Sequence, residues 1–182
     1  MEVMDHTRRR DTSPRYVGRS EALDGTASRN EDVIRRFTWV IDSLNVHLDE
    51  LRYLWANALG ISGPRWMILM ALMDLDQDDG VPVSSVSRKL HVDSSFVTTQ
   101  SKLLEKRGFL RRKTSATDAR IVHMSLTDRA YKLISNLAAQ QEALNEFIFS
   151  ELSEEQLGDL TETVTMLKNR LEKAPLKVAV DT

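Results

Sequence analysis

Between positions 84 and 126 the apolar residues change period, from every third or fourth residue to every second, and few small architectures accommodate that change. Val86 and Leu90 mark a short helix over residues 84–91. Val92 and Asp93 then form a tight turn, and residues 94–107 make a second helix with Asp93 at its N-cap and Gly108 as its stop. Two short helices joined by so brief a turn form a helix-turn-helix. Residues 109–113 and 121–126 alternate apolar and polar positions around the turn-forming stretch 114–119, the pattern of a β-hairpin with a basic tip.

So small a unit needs further helices to complete its core, and the flanking sequence supplies them. Over residues 30–59, Val33, Phe37, Val40, Ile41, Leu44, Leu48, Leu51, Trp55 and Leu59 recur at the spacing of one helix face. That helix would run roughly 43 Å at 1.5 Å per residue, longer than a small domain requires, so part of it is expected to pack beyond its own subunit. Gly60 ends it, Ser62 and Pro64 open a second helix through Trp66, Leu69, Met70 and Met73, and residues 76–82 read as a loop. Beyond Thr127, a further N-cap, amphipathic helices are expected over 128–149 and 153–173, the last opened by a capping box of Ser153 and Gln156. These readings predict a mainly α chain with a small β-hairpin, one domain over residues 30–175. Dimerisation helices fall at about 30–60 and 127–173 and the helix-turn-helix with its hairpin at about 61–126, between tails at 1–29 and 176–182. The N-terminal tail carries Arg8, Arg9 and Arg10 and reads as flexible, with a solvated extension, a DNA-grasping arm and a partner-embracing segment all open.

The net charge of −2 hides a division along the chain. Residues 84–130 hold ten cations (Arg88, Lys89, Lys102, Lys106, Arg107, Arg111, Arg112, Lys113, Arg120, Arg129) against Asp93, Glu105, Asp118 and Asp128, or +6, and the remainder carries −8. A nucleic acid would meet one preferred region. Cysteine is absent, which removes disulfides, thiolate metal sites and cysteine nucleophiles. His6, His47, His91 and His123 lack metal-ligand spacing, and no glycine-rich phosphate loop or nucleophile elbow is present, so neither an enzyme nor a cofactor is expected. No apolar stretch nears the ~18 residues of a membrane span, and a cytosolic protein is the expectation.

One run of residues carries a family likeness: Leu104-Glu105-Lys106-Arg107-Gly108-Phe109-Leu110, then Arg111 and Arg112, Asp118-Ala119-Arg120, and Leu126-Thr127 entering a helix. With Leu59-Gly60-Ile61-Ser62 before the Trp66 helix and Phe96-Val97-Thr98, the chain resembles the MarR family of bacterial and archaeal transcription regulators over about residues 33–172. It departs from the family pattern at Ala130, where glycine is usual, in a wing that has Ser115, Ala116 and Thr117 where a proline is common, and in its longer tail. The resemblance implies a winged helix-turn-helix in a helical homodimer, a pseudo-palindromic double-stranded DNA partner and, by preference, repression.

Within that frame, a helix fits the major groove and its N-terminal half reaches base edges, which nominates Ser94, Ser95, Thr98, Thr99 and Lys102 if Val97, Leu103 and Leu104 face the core. Ser94 and Ser95 could also merely begin a helix. Arg120 suits a narrow minor groove with Asp118 as its positioning partner, and Arg111, Arg112 and Lys113 suit phosphate, although Arg111 could simply be solvated. The resemblance also implies a small effector, often a phenolic or aromatic acid or its derivative. An aromatic acid wants apolar walls plus a cation or imidazole, which nominates His47, Tyr53, Trp55, Arg65 and Trp66, although tryptophans at helical spacing are more often core and His47 could simply be solvated. A winged-helix protein-interaction module without DNA is the alternative reading.

Overall fold

Helix α1 (Gly25–Ala58) stops because Gly60 turns left-handed, with φ of 63°, so that the Gly60 and Ile61 N–H groups cap the carbonyls of Asn57 and Ala56. The computed structural model describes residues 25–75 and 80–180. The basic run Arg8, Arg9 and Arg10 lies outside the described residues, and α1 begins at Gly25, before the expected position 30. The chain divides into two compact units, Met1–Asp49 and Glu50–Thr182. In the first, α1 exposes Val33, Phe37, Val40, Leu44 and Leu48, the same face whose spacing predicts burial.

The second unit is built on helix α2 (Gly63–Asp74), which places Trp66, Ile68, Leu69 and Leu72 in the core. Pro64 sits in its first turn, where a missing N–H costs nothing, and Ser62 occupies the N-cap position without a side-chain cap. Residues 76–79 lie outside the described residues, and the loop expected over 76–82 ends in a strand: β1 (Val81–Pro82) pairs antiparallel with β3 (Val122–Leu126). Pro82 cannot donate to a ladder and is tolerated because β1 is an edge strand in the order β1-β3-β2, with β2 at Leu110–Thr114. Two residues are too few for alternation to show in sequence.

Helix α3 (Val83–Leu90) and helix α4 (Ser94–Lys106) form the helix-turn-helix. The turn pivots on His91 in the left-handed region, with φ of 52°, and Asp93 takes the N-cap position of α4 with extended backbone but no side-chain cap bond. Val86, Val97, Leu104, Phe109, Leu110 and Met124 join the α2 residues in one core.

The helix expected over 128–149 is two, α5 (Asp128–Ser135) and α6 (Ala138–Phe149). At Asn136 and Leu137 the ladder tightens, the Leu137 N–H bonding to Ile134 only three residues back. Thr127 caps α5, its hydroxyl accepting from the Ala130 N–H at 3.2 Å, and Ser153 and Gln156 close the expected capping box of α7 (Glu154–Leu171). The stretch expected as a C-terminal tail from 176 lies in helix α8 (Ala174–Val180). Pro175 has no N–H to carry α7 onward, yet fits the first turn of a new helix. Neither α6 nor α7 buries any residue, and Phe147 is 81% exposed.

Candidate nucleic-acid interface

Helix α4 turns Val97, Ser101 and Leu104 into the core at the i, i+4, i+7 spacing of one face. The opposite stripe therefore carries Ser95, Thr99, Lys102 and Lys106, all exposed. Lys106 extends this stripe beyond the five residues nominated from sequence, and the same spacing counted from Ser95 would have included it. Leu103, expected inward, is 39% exposed, and Ser101 takes the buried position, its hydroxyl donating to the Thr98 carbonyl at 3.1 Å. Its small hydroxyl, satisfied within its own helix, can be buried without an unpaired polar group.

The other nominated hydroxyls are not alike. Ser94 shares a 2.9 Å hydrogen bond with Ser87 of α3, binding the two helices at their turn. Thr99 donates its hydroxyl proton to the Ser95 carbonyl at 3.0 Å, which leaves its oxygen lone pair and methyl group for an outside partner. Thr98 is half-buried on the flank of the stripe.

The hairpin follows α4 after Gly108, whose left-handed φ of 74° reverses the chain. Its register pairs Leu110 with Leu126, Arg112 with Met124 and Thr114 with Val122. Arg112 thus shares the inward face of Leu110, and its side-chain Nε is shut from solvent with no partner, while its backbone N–H donates to the Glu105 carboxylate of α4 at 2.9 Å. Arg111 and Lys113 fall on the other face, opposite Ser125 and His123, and both are exposed. The three basic residues nominated for phosphate are therefore split by the strand's period of two.

At the tip, the Ser115 N–H bonds to the Ile121 carbonyl and the Ile121 N–H to the Asp118 carbonyl. The Asp118 carboxylate accepts the backbone N–H of Arg120 at 2.9 Å, so it shapes the turn that presents Arg120. Ser115 and Thr117 share a 3.0 Å hydroxyl bond, a side-chain brace where the family commonly has proline.

The sequence model of the MarR family matches residues 66–122, which covers α2, the helix-turn-helix and the hairpin. The HTH-type transcriptional regulator SarZ of Staphylococcus epidermidis is 30% identical over 109 residues, 58% of this chain and 71% of that protein. The chain belongs to the MarR family. A longer match, to the transcriptional repressor MprA of Escherichia coli K12, is 26% identical over 156 residues, 84% of this chain and 88% of the repressor. Among solved structures, Streptococcus pneumoniae FabT in complex with DNA superposes with a TM-score of 0.59 at 25% identity, covering 77% of this chain and 98% of FabT.

In this MarR-family chain the nominated effector residues fall in different settings. Trp66 is 3% exposed and belongs to the core, Trp55 packs half-buried against it, and Tyr53 is 64% exposed. His47 is exposed on α1. Arg65 donates from Nε to Gln100 of α4 at 2.9 Å, a partner that sequence spacing had not singled out. Lys89, one of the ten clustered cations, pairs with Asp74 at the end of α2. Among the described residues no group of acidic, histidine or cysteine side chains could hold a metal ion, and no helix is long and apolar enough to cross a membrane.

Proposed function

We propose that this regulator reads double-stranded DNA as a homodimer, with α4 in the major groove and the hairpin as a minor-groove wing. The observation that carries the reading is the exposed stripe Ser95, Thr99, Lys102 and Lys106, backed by a buried face and flanked by a wing whose turn presents Arg120. Lys102, Lys106, Arg111 and Lys113 supply the sequence-independent attraction to phosphate, and Ser95, Thr99 and the edge of Thr98 offer donors, acceptors and methyl groups to base edges.

The uncovered apolar residues of α1, α6 and α7 favour the dimer: Val33, Phe37 and Leu44 on the first, Phe147 and Ile148 on the second, Leu160 and Val164 on the third are all exposed in the single chain. A two-fold copy of the same surface is the economical cover, and it would address two half-sites about one helical turn apart. Repression is the mode we favour, in keeping with the MprA likeness. Release by a small aromatic or phenolic acid is part of the same proposal, with exposed Tyr53 and half-buried Trp55 and Arg65 as the residues that would meet it and a thermal-shift panel of such acids as its test.

The decisive experiment for DNA reading is a mobility shift with the duplex upstream of the protein's own gene at two salt concentrations. Retention of that duplex over an unrelated one, weakening as salt rises, supports a DNA reader. Equal affinity for both duplexes would overturn the sequence-reading role and leave only attraction to phosphate, and binding to neither leaves the protein-interaction alternative.

A further inference from the structure

Not every cation of the basic segment faces outward to a ligand. Arg107, the C-cap of α4, places its guanidinium carbon 5.6 Å from the centre of the Phe109 ring, and Arg129, in the first turn of α5, lies 5.5 Å from the same ring. Arg107 Nη1 donates to the Gly60 carbonyl at 2.5 Å, and Arg129 Nη1 donates to the Arg107 carbonyl at 2.8 Å. The two guanidinium groups lie over left-handed glycines: a Cβ on Gly108 would stand 3.3 Å from Arg129 Nη1, tighter than ordinary contact, and one on Gly60 would touch Arg107 Nη2 at 3.4 Å. Thr127 completes the cluster by donating its hydroxyl to the Gly108 carbonyl at 2.8 Å.

Four chain segments meet in this knot: the cap that ends α1, the end of α4, the start of β2 and the start of α5. Two of them belong to the reading head. The other two lead into α1 and into α5 to α7, which carry the exposed apolar residues a second copy would cover.

We propose that Arg107, Arg129 and Phe109 are positioning residues that set the distance between the two reading helices of the dimer, and so determine which half-site spacing the protein accepts. The proposal rests on the DNA-reading function argued above. Its physical basis is leverage. One base pair added between half-sites moves one of them by about 3.4 Å and turns it by about 35°, so a stiff joint rejects the longer site and a loosened joint tolerates it.

The test uses the full chain and duplexes that the wild-type protein itself selects from a random library. Affinity is then measured for the selected site and for the same site with one base pair added or removed at its centre, each over a range of salt. Arg107→Ala, Arg129→Ala and Phe109→Leu are each expected to lower the preference for the selected spacing about tenfold, with the slope of log affinity on log salt unchanged. Phe109→Leu is the sharpest variant, because that ring is 2% exposed and uncharged and cannot touch phosphate. Should it melt below the assay temperature, Arg107→Lys takes its place, keeping the charge and losing the planar group.

The proposal is overturned if the slope drops by about 0.9 for each arginine removed while spacing preference survives, since both exposed arginines would then be phosphate contacts. It is equally overturned if spacing preference is unchanged in the Phe109→Leu or Arg107→Lys protein. If the wild-type protein enriches no site with two half-sites, the DNA-reading function fails, and this inference falls with it.

Discussion

Arg65 and Gln100 join α2 to the reading helix through a 2.9 Å hydrogen bond from Nε to Oε1, thirty-five positions apart in sequence and half-buried. The bond has a cationic donor and a restrained acceptor, and it sits on the flank of α4 between the core face and the outer stripe. Arg65→Ala should cost about 1 kcal/mol of stability and weaken DNA binding severalfold without altering the salt slope. Chemical denaturation and titration of the operator duplex check both parts; an unchanged DNA affinity with loss of effector response would leave Arg65 with the effector role alone.

Leu103 and Leu104 are neighbours with opposite exposure, which makes them a direct probe of how α4 is seated. Leu104→Ala empties a fully buried site and should destabilise the fold by about 2 to 5 kcal/mol, and Leu103→Ala should stay within about 0.5 kcal/mol. Equal losses in thermal or urea unfolding would mean that the helix is rotated from the orientation described.

Asp118 offers a test in which two explanations predict opposite signs. Removing a carboxylate beside the wing arginine ought to tighten DNA binding if charge alone mattered. Because Asp118 holds the Arg120 backbone N–H, Asp118→Ala should instead weaken binding, with the salt slope kept. Arg120→Ala should weaken binding too while leaving the dimer intact. A tighter complex from Asp118→Ala would discard the turn-shaping role.

Lys102 and Lys106 share the outer stripe, and each is expected to neutralise one phosphate. Replacing either with alanine should lower the magnitude of the salt slope by about 0.9 and weaken specific and non-specific duplexes alike. A slope that stays constant for Lys106→Ala would remove that residue from the interface.

Leu160 and Val164 lie one turn apart on α7 with both side chains exposed. The double change Leu160→Glu with Val164→Glu should shift the protein to a monomer in light scattering and abolish tight operator binding, with helix content retained. Persistence of the dimer would move the interface to another face.

Much of this arrangement was legible in order of residues. The turn at Gly108, the Thr127 cap and the Ser153–Gln156 box are local devices whose partners lie within three or four positions, so spacing alone identifies them. The same holds for the hairpin, where alternation is visible over five residues on each side. Strand β1 was not legible, because a two-residue strand has no period and exists only through its pairing with His123 and Met124. The split of Arg112 from Arg111 and Lys113 was present in the alternation but obscured by the run of like charge.

What the order of residues determined by itself is the set of local conformations: where helices start and stop, where the chain turns left-handed, and which quarter of it is cationic. Those follow from backbone sterics, capping and charge, which act over a few residues. Tertiary structure decided what each cation touches. Lys89 goes to Asp74, Arg65 to Gln100, Arg107 and Arg129 to a ring and two carbonyls, and Lys102, Lys106 and Arg120 to the outside. Charge is a property of a residue, but the direction a long side chain takes depends on which distant surface the fold brings beside it.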